Sequence, residues 1–560
     1  MLNLTNMHSN VLTKVYSDAE ICMKKIYNRI CLLGLLNLAL SGCAGFDLKH
    51  SDEARINNVI IVIGDGMGPQ QVGLLLSYAR QAPGSVIESR KTAFDRMIEQ
   101  SDAKLTISTT HAAGTLVTDS AASASQLATG YFAGSEMLGL DKDGNRRETI
   151  VEKAKRIGKA TGLVSDTRIT HATPAAFAAH QTHRSLENEI AEDLLAIGPD
   201  VMFSAGWSYW LPETVNDKQS QDYRSAAQLL GRTDSIVSKR NDRKNLLEQA
   251  RQQGYELVFN KSQLQQARDK TLGLFAASEL PNGITETLAK QDPARTVPTL
   301  KEMSRQALDI LSKNESGFFL MIEAGQIDWA SHGNDTGTLL HEMLRLNETL
   351  EAVLDWMQGR DDTLLIVTAD HETGGFGFSY SAVDIPEPRA LPGLYFQEGR
   401  QFQPSFNYGN PEVLDRLYAQ QLSYFELFKR FESLPKAQQK PARLVEMVNF
   451  YTEFKIDERQ AERILATEKN RFYREGHKSL NLKRVPKMGF NNAFFAYPAG
   501  NRQNLLAREV AEQQHAVWAT GTHTSTPVYV FMQGPRQVLQ PFEKILHHTE
   551  IGRLATDALQ

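Results

Sequence analysis

The sequence predicts an α/β fold whose central sheet is buried on both faces. Continuous apolar runs occupy residues 58–64, 318–322 and 363–368, and such runs are typical of strands that are covered on both sides. A carboxylate stands at the end of each run: Asp65, Glu323 and Asp370. Because ligands bind beyond the carboxyl ends of the strands in open α/β sheets, we expect a functional site at this edge.

Shorter elements complete the core of the predicted fold. Strands are predicted at residues 160–165, 201–205 and 527–532, from their apolar content. A helix is predicted to run through residues 180–184, and residues 212–290 are predicted to be largely polar and helical.

A long insertion interrupts this pattern near the carboxyl end. About 150 residues separate His371 from His523, far more than a usual connection between elements. Residues 411–465 have the apolar spacing of helices, with Asp457 as a candidate cap. Aromatic residues follow these helices: Phe490, Phe494, Phe495 and Tyr497. We interpret residues 377–510 as an inserted subdomain that covers the site or forms a subunit interface, with a passive surface elaboration as the alternative.

The composition is that of a soluble globular protein. The 560 residues are 41% hydrophobic and 23% charged, and 61 Lys and Arg against 66 Asp and Glu give a net charge of −5. This balance argues against nucleic acid or an anionic membrane as the main partner. All three cysteines lie in the first 43 residues. The body of the chain therefore has no disulfide or thiolate metal site, and a metal there must bind His, Asp, Glu or hydroxyl groups.

Residues 23–43 have the layout of a bacterial lipoprotein signal peptide. Lys24, Lys25 and Arg29 precede an apolar run at residues 30–40 that is too short for a stable membrane anchor. The sequence Leu-Ser-Gly-Cys that follows resembles the lipobox, in which the cysteine, here Cys43, is lipidated and becomes the mature first residue. An uncleaved signal anchor with an incidental cysteine is the alternative.

The predicted signal peptide divides the chain into three parts. Residues 1–43 form an amino-terminal extension with the signal peptide, residues 44–55 a polar tether, and residues 56–560 the main domain. Ala44 follows the cysteine, which in the lipoprotein pattern implies the outer membrane. We expect an exported protein that is lipid-anchored there and faces the periplasm or the cell surface. The acidic first 22 residues are a poor signal start, so we hypothesise that translation begins at Met23.

The stretch TDSAASASQLATG at residues 118–130 places Ser120 at the predicted start of a helix. Small side chains leave room for a close approach, and the first-turn N–H groups with the helix dipole favour an anion. Ser120 is therefore a candidate nucleophile, and its hydroxyl needs a base or a metal for activation. The alternative is that Thr118, Asp119 and Ser120 only cap the helix.

Carboxylates and histidines near the strand ends indicate a site for more than one metal. We interpret Asp65 as a ligand and the glycines of the DGMG motif as clearance, because the motif lacks P-loop spacing. Asp328 and His332 share one helical face and can reach one metal, although such pairs are more often surface ion pairs. A lone histidine such as His171 is more often structural. The remaining candidates are Asp370, His371 and His523.

Six motifs, taken in order, together resemble those of the alkaline phosphatase family: VIGDGMG, TDSAASA, HATPAAFAAHQTHR, FFLMIEAGQIDWASH, TADHETGG and GTHTSTPV. The resemblance covers residues 58–535 and is poor over the insertion. It implies a three-layer α/β/α sandwich around a large, mostly parallel sheet, with an inserted helical or irregular subdomain, usually as a homodimer. It also implies release of inorganic phosphate from phosphate monoesters at alkaline pH, through a phosphoserine.

The resemblance also implies roles for individual residues. Ser120 matches the nucleophile, and Arg184 matches the arginine that holds the phosphate oxygens. Two zinc ions and one magnesium ion are expected. The first zinc would be bound by Asp328, His332 and His523; the second by Asp65, Asp370, His371 and the Ser120 oxygen; the magnesium by Asp65, Thr173 and Glu323. Two such metals can stabilise the attacking and leaving oxygens on opposite sides of phosphorus.

Two positions depart from the enterobacterial pattern. His171 and Trp329 stand where that pattern has Asp and Lys. A nitrogen beside the third site favours zinc over magnesium there. Loss of the lysine charge is expected to loosen phosphate binding, and Trp329 is a candidate substrate contact.

Other activities remain open at the level of sequence. A phosphodiesterase of the same superfamily would use the same metal scaffold, and the insertion could shape its pocket. A sulfatase would need a C-x-P-x-R type of motif, which DSAAS lacks. A non-catalytic lipoprotein that binds phosphate or metal is a further alternative, although the set of ligands, nucleophile and arginine is intact.

Overall fold

A ten-stranded sheet organises the computed structural model, which describes residues 56–489 and 494–559. The predicted signal peptide, Cys43, the tether and Phe490 lie outside the described residues. In chain order the strands are β1 (Asn58–Gly64), β2 (Ala103–Thr109), β3 (Ala160–Arg168), β4 (Val201–Ala205), β5 (Glu256–Val258), β6 (Thr271–Leu274), β7 (Phe318–Ala324), β8 (Thr363–Thr368), β9 (Val528–Gln533) and β10 (Leu546–His547).

The sheet is mostly parallel. Its strand order is β10-β2-β9-β8-β1-β7-β3-β4-β6-β5. Within it, β9 runs antiparallel to both of its neighbours, and the other described pairings are parallel. The central strands β1, β7 and β8 are buried along their whole length, as their continuous apolar runs predict.

Helices cover both faces of the sheet. They are α1 (Pro69–Gln81), α2 (Ala93–Ile98), α3 (Ser120–Thr129), α4 (Ile150–Arg156), α5 (Ala172–Ala175), α6 (Glu187–Ile197), α7 (Gln221–Leu230), α8 (Leu246–Gln252), α9 (Lys261–Gln266), α10 (Gly283–Leu288), α11 (Leu300–Leu311), α12 (Gln326–His332), α13 (Thr336–Met357), α14 (Glu412–Tyr418), α15 (Tyr424–Ser433), α16 (Pro441–Tyr451), α17 (Glu458–Leu465), α18 (Asn501–Gln514), α19 (Arg536–Leu539) and α20 (His548–Ala558).

Alternate side chains of each central strand enter two separate cores. On β1, Ile60 and Val62 pack with α1, α2, α11 and α13 on one face. Val59, Ile61 and Ile63 pack with α3, α4, α6, α8 and α20 on the other. This is the two-residue alternation of a strand that is covered on both sides. The predicted three-layer α/β/α sandwich with a large, mostly parallel sheet is confirmed.

The insertion packs on the first of these layers. Its helices α14 to α18 bury Leu417, Leu427, Val448, Ile464 and Val510 in the same core as α1 and α13. The helices predicted within residues 411–465 are present, and Asp457 caps α17 through the backbone N–H of Gln460. No described helix combines the length and the apolar character that crossing a bilayer requires.

Two predictions about local structure are wrong. Residues 180–184 are not helical: the helix ends at Ala175, and backbone bonds join Gln181 to Leu138 and Arg184 to Glu136. The N–H groups of Gln181 and Arg184 donate to the segment that contains Leu138 and Glu136, instead of to the preceding turn as in a helix. Residues 212–290 contain the strands β5 and β6 in addition to helices.

Candidate active site

Parallel strands bring three acidic residues to one edge of the sheet. Ile63 of β1 is paired with Glu323 of β7 and with Thr368 of β8. Asp65 and Asp370 follow Ile63 and Thr368 in the chain, so the three carboxylates lie at neighbouring positions. All three side chains are fully buried. A short ribbon pairs Glu372–Thr373 with His523–Thr524 and carries His523 to the same edge. The strand-end carboxylates therefore converge as the sequence predicts.

The acids and histidines form three clusters whose candidate ligand atoms lie within 4.8 Å of one another. The first is Asp328, His332 and His523; the second is Asp65, Asp370 and His371; the third is Asp65, His171 and Glu323. Each cluster combines nitrogen and oxygen donors without a thiolate, which suits zinc or magnesium.

Backbone carbonyl groups orient the two histidines of the first cluster. His332 Nε2 lies 3.2 Å from both Asp328 Oδ2 and His523 Nε2. On the opposite side of each ring, Nδ1 lies 2.7 Å from the carbonyl oxygen of Gly521 for His332 and 2.8 Å from that of Thr118 for His523. A ring that donates its Nδ1–H to a carbonyl presents the lone pair of Nε2 to the cluster.

The second and third clusters contain buried polar atoms with no hydrogen-bond partner among the described residues. They are Asp65 Oδ1, Asp370 Oδ2, Glu323 Oε1 and His171 Nδ1. An unpaired buried carboxylate oxygen is costly, and a cation would satisfy these atoms together. The residues present therefore fit divalent metals. Thr173 lies beside them, and its hydroxyl donates to Asp65 Oδ2 at 3.1 Å.

Burial and like charge explain the electrostatics of these clusters. Burial raises the pKa of Asp65 well above its usual range, and the neighbouring Asp370 and Asp328 raise it further. Burial likewise raises the pKa of Glu323 to about 7. Asp65 and Glu323 therefore resist ionisation unless positive charge is supplied, whereas the adjacent His371 lowers the pKa of Asp370.

Ser120 stands at the first position of α3, next to the second cluster. Its hydroxyl lies 3.2 Å from His371 Nε2, and the side chain is buried. The preceding Asp119 is the cap, accepting from the N–H of Ala121 at 2.8 Å and of Ala122 at 3.3 Å. Asp119 is therefore the residue that caps the helix, while the Ser120 hydroxyl points toward the candidate metal ligands.

Glycine provides clearance beside the site, as predicted for the DGMG motif. Gly66 has φ +71°, and a Cβ atom there would lie 2.8 Å from the Cα of Asp328 and 2.9 Å from its Oδ1. A side chain at this position would therefore displace a ligand of the first cluster.

Arg184 lies beside Ser120 and the third cluster. Its Nη2 is 3.1 Å from His171 Nε2, and its Nη1 is 3.8 Å from Asp119 Oδ1. Trp329 contacts the same histidine edge-to-face, with ring centroids 5.9 Å apart. The structure thus brings every predicted site residue of the main domain into one region.

Comparison with known proteins decides the family. The family model described as alkaline phosphatase matches residues 56–421. The chain belongs to the alkaline phosphatase family.

Individual relatives agree with this assignment. Alkaline phosphatase 3 of Bacillus subtilis is 27% identical over 536 residues, 96% of each chain. The crystal structure of a cold-active alkaline phosphatase from a psychrophilic Shewanella has a TM-score of 0.62 and 26% identity, covering 90% of this chain and 100% of that one. The alkaline phosphatase of Thermus thermophilus has a TM-score of 0.68 at 24% identity, covering 90% and 91% of the two chains, and supports the fold. The predicted family and enzyme class, a phosphatase with metal-binding clusters, are confirmed.

Some residues of this alkaline phosphatase site have no role in the sequence prediction. Thr373 donates to Asp328 Oδ1 at 2.5 Å and lies 3.2 Å from His371 Nδ1, so it links the first two clusters. Its position within the TADHETGG motif was the available signal. Ser123 and His548 both contact the backbone oxygen of Asp370, at 2.6 and 3.0 Å. No sequence pattern indicated His548.

Proposed function

We propose that this phosphatase hydrolyses phosphate monoesters at alkaline pH through a phosphorylated Ser120, with metals held by the three clusters. One observation carries the proposal: the Ser120 hydroxyl lies at a helix start and 3.2 Å from His371 Nε2. A nucleophile so placed can be activated by a cation in the second cluster. Family membership supports the same reaction.

The chain's own residues account for positioning and charge. When bound, the metals would lower the pKa of the serine hydroxyl and of water and offset charge on the phosphoryl oxygens. Ser120 Oγ would form the bond to phosphorus as the alcohol oxygen leaves, and water would then break the seryl phosphate. The N-terminus of α3 favours the phosphate anion. Arg184 presents planar N–H donors that can bind two phosphate oxygens.

The decisive experiment measures release of a chromogenic alcohol by the purified full-length protein. A monoester and a diester are compared, untreated, after chelation, and after zinc and magnesium are returned. We expect monoester turnover that chelation abolishes and metals restore. Ser120→Ala should reduce it by about 10³-fold or more, whereas Ser89→Ala, at an exposed serine, should not.

Other outcomes point to the alternatives. Preferential turnover of the diester would indicate a phosphodiesterase. Absence of both activities in a folded, metal-loaded protein would indicate a phosphate-binding or metal-binding lipoprotein.

For the metals, we propose zinc in the first two clusters and, because of His171, zinc in the third cluster as well, where the family resemblance implies magnesium. The buried His171 Nδ1 lies 3.6 Å from Glu323 Oε1 and has no hydrogen-bond partner among the described residues, which supports a nitrogen ligand. Elemental analysis of the pure protein is expected to give more than two zinc ions per chain. Magnesium alone in the third site would contradict the role of His171.

Trp329 is proposed to contact the substrate and to weaken binding of product phosphate. It stands beside the site and carries no positive charge, unlike the lysine of the enterobacterial pattern. Trp329→Lys is expected to strengthen inhibition by inorganic phosphate. An unchanged or weaker inhibition constant would contradict this proposal.

We propose a homodimer, as the family resemblance implies. Two adjacent segments expose apolar side chains: Leu116, Val117, Tyr131 and Phe132. The N–H of Ala113 donates to the carbonyl of Ala133 at 3.0 Å and joins these segments. Light scattering at micromolar concentration should give twice the chain mass, and Leu116→Arg should give the monomer. A monomeric wild type would overturn the proposal.

We further propose that Cys43 carries a lipid that anchors the protein at the bacterial outer membrane. The motif at residues 40–43 supports this, and two or more acyl chains would give stable attachment. Labelling of cells with a radioactive fatty acid should mark the wild type and not Cys43→Ser. Labelled protein in the inner-membrane fraction would contradict the outer-membrane assignment.

A further inference from the structure

A short antiparallel ribbon carries residues of the first cluster on one of its two faces. Thr373 is paired with His523, and Glu372 is paired with Thr524. Residues paired across such a ladder share a face, and successive residues alternate between the faces. Thr373 and His523 therefore face the clusters, where the Thr373 hydroxyl donates to Asp328 Oδ1 at 2.5 Å. Glu372 and Thr524 lie on the opposite face.

The carboxylate of Glu372 is completely buried on that opposite face, and three donors satisfy it. Its Oε1 accepts from Gln71 Nε2 at 3.1 Å and from the backbone N–H of Gly375 at 2.8 Å. Its Oε2 accepts from the Thr524 hydroxyl. These donors belong to α1, to the turn after the ribbon and to the second strand of the ribbon. One carboxylate therefore ties both strands of the ribbon to α1.

Gln71 links the ribbon to the core of the molecule. Its side chain is completely buried, and its Nε2 also donates to the carbonyl oxygen of Thr373 at 2.8 Å. Leu75 of the same helix belongs to the apolar core that contains Ile60 and Val62 of β1. The ribbon is thereby fixed relative to the sheet whose strand ends carry the other candidate ligands.

The last glycine of the DGMG motif leaves the space that Glu372 occupies. A Cβ atom on Gly68 would lie 2.1 Å from Cγ and 2.8 Å from Cβ of Glu372. Atoms in a packed interior do not approach so closely, so a side chain at Gly68 would displace the glutamate. The DGMG and TADHETGG motifs therefore fit together at this carboxylate, although they are far apart in the sequence.

The second cluster is held by other contacts. The N–H of Gly66 donates to Asp370 Oδ1 at 3.0 Å, and Ser123 and His548 contact the carbonyl oxygen of Asp370. None of these contacts involves Glu372. In the first cluster, the bond to Thr118 orients the ring of His523, whereas the ribbon places its backbone. Loss of the Glu372 carboxylate should therefore disturb the first cluster in preference to the second.

We propose that Glu372 is a positioning residue for the metal of the first cluster, because it holds the ribbon that presents His523 and Thr373. The proposal rests on the proposed binding of metals by the three clusters. It adds a residue that acts on the metal through the ribbon. Outer partners of metal ligands typically alter metal affinity by about 10- to 100-fold.

The test measures zinc binding by the purified full-length protein after chelation, in competition with a chromogenic chelator. Glu372→Ala should weaken zinc binding by about 10- to 100-fold at one site per chain and leave the other sites as in the wild type. With Co²⁺ as the probe, the visible absorption of that site should change, because it reports the geometry of the ligands. Glu372→Gln should retain most of the affinity, since its amide can accept from Gln71 and Gly375 and donate to the Thr524 oxygen.

Asp200→Ala is the matched control. Asp200 Oδ2 accepts from the N–H of Thr161 at 2.8 Å and from its hydroxyl at 3.0 Å. These residues lie at the amino-terminal ends of β4 and β3, at the edge of the sheet opposite the clusters. The control should therefore lose a hydrogen-bonded carboxylate without a change in zinc affinity or in the cobalt spectrum.

Thr524→Val decides the question if Glu372→Ala does not fold. Valine keeps the shape of threonine and removes only the hydroxyl that Glu372 binds, so a smaller loss of affinity is expected at the same site. Hydrogen exchange in the chelated proteins needs no metal, and it should be faster at residues 522–526 in either variant than in the wild type.

The outcomes separate this inference from the proposed function. Wild-type zinc affinity at every site in folded Glu372→Ala or in Thr524→Val overturns the positioning role, even if exchange in the ribbon is faster. An equal loss of affinity in Asp200→Ala overturns it as well. A wild type that binds neither zinc nor cobalt would overturn the proposed metal sites, and this inference with them.

Discussion

The backbone of Asp370 is held by a histidine from the last helix. His548 Nε2–H donates to the carbonyl oxygen of Asp370 at 3.0 Å, while Nδ1 accepts from the Ser108 hydroxyl at 2.9 Å. Burial lowers the pKa of His548 to about 3, so the ring is neutral near pH 7. Ser123 donates to the same carbonyl at 2.6 Å. The end of β8, with Asp370 and His371, is thereby fixed from two directions.

Replacing this ring should weaken both the fold and the metal site. We expect His548→Ala to destabilise the protein by about 2–4 kcal/mol, from a buried cavity and a carbonyl with one donor fewer. Urea denaturation measures this, and competition with a chromogenic chelator measures zinc affinity. His548→Gln, which keeps a donor, should recover part of both. The exposed His477→Ala is the control, and wild-type zinc affinity in His548→Ala would contradict a positioning role.

At the residue scale, the sequence predicted the side chains that follow strands, but it did not predict those that contact residues far away in the chain. Asp65, Asp370 and His371 were predictable because the apolar runs before them define where each strand ends. His548 was not, because it acts on a backbone oxygen 178 residues away. The motif identified Arg184, but the predicted helix there was wrong, because the backbone N–H of Arg184 donates to the carbonyl oxygen of Glu136.

At the element scale, one carboxylate joins the insertion to the longest helix. Asp335 caps α13 by accepting from the Thr338 N–H at 3.1 Å and the Thr338 hydroxyl at 2.6 Å. It also accepts from Gln420 Nε2 at 2.8 Å and from the N–H of Tyr424, at the start of α15, at 2.6 Å. Because Asp335 bonds to both helices, it fixes α15 of the insertion relative to α13 and therefore relative to the sheet.

Removing that carboxylate should loosen the insertion. Asp335→Ala deletes a helix cap and leaves buried donors unpaired, so we expect a loss of about 3 kcal/mol or more. Hydrogen exchange should become faster in α15 than in the sheet. Asp457→Ala is the matched control, since Asp457 is an exposed cap of α17 within the same insertion, and should cost about 1 kcal/mol. Equal losses in the two variants would show that Asp335 acts only as a cap.

Elements differed in how far sequence could predict them. Buried strands such as β1, β4 and β8 have the predicted bounds, because mostly apolar segments of five to seven residues without helical spacing are typical of strands covered on both faces. The strands β5 and β6 were missed, since three and four residues are too few to show a periodicity. The amphipathic helices of the insertion were predictable, but their packing against α13 depends on buried polar contacts such as those of Asp335.

At the scale of the whole molecule, the fold accumulates negative charge in its interior. Asp65, Glu323 and Asp370 are 0% exposed and Asp328 is 4% exposed, at one edge of a sheet otherwise lined by apolar side chains. The described main domain contains no cysteine, so no disulfide offsets this repulsion. Cations that bind the folded state and not the unfolded chain would therefore contribute directly to stability.

Chelation should consequently destabilise the entire protein. When the free metal concentration is 1,000 times the dissociation constant, each bound ion contributes about 4 kcal/mol to the free energy of unfolding, and we expect chelation to remove this contribution. Scanning calorimetry before and after chelation measures it, and returning zinc and magnesium should restore the transition. Ser120→Ala should show a similar drop, because the carboxylates and histidines of the clusters remain. A phosphine reductant should leave the transition unchanged, since residues 44–560 have no thiol. If the chelated protein unfolded at the same temperature as the metal-loaded one, the buried carboxylates would have to be neutralised by protons instead of metals.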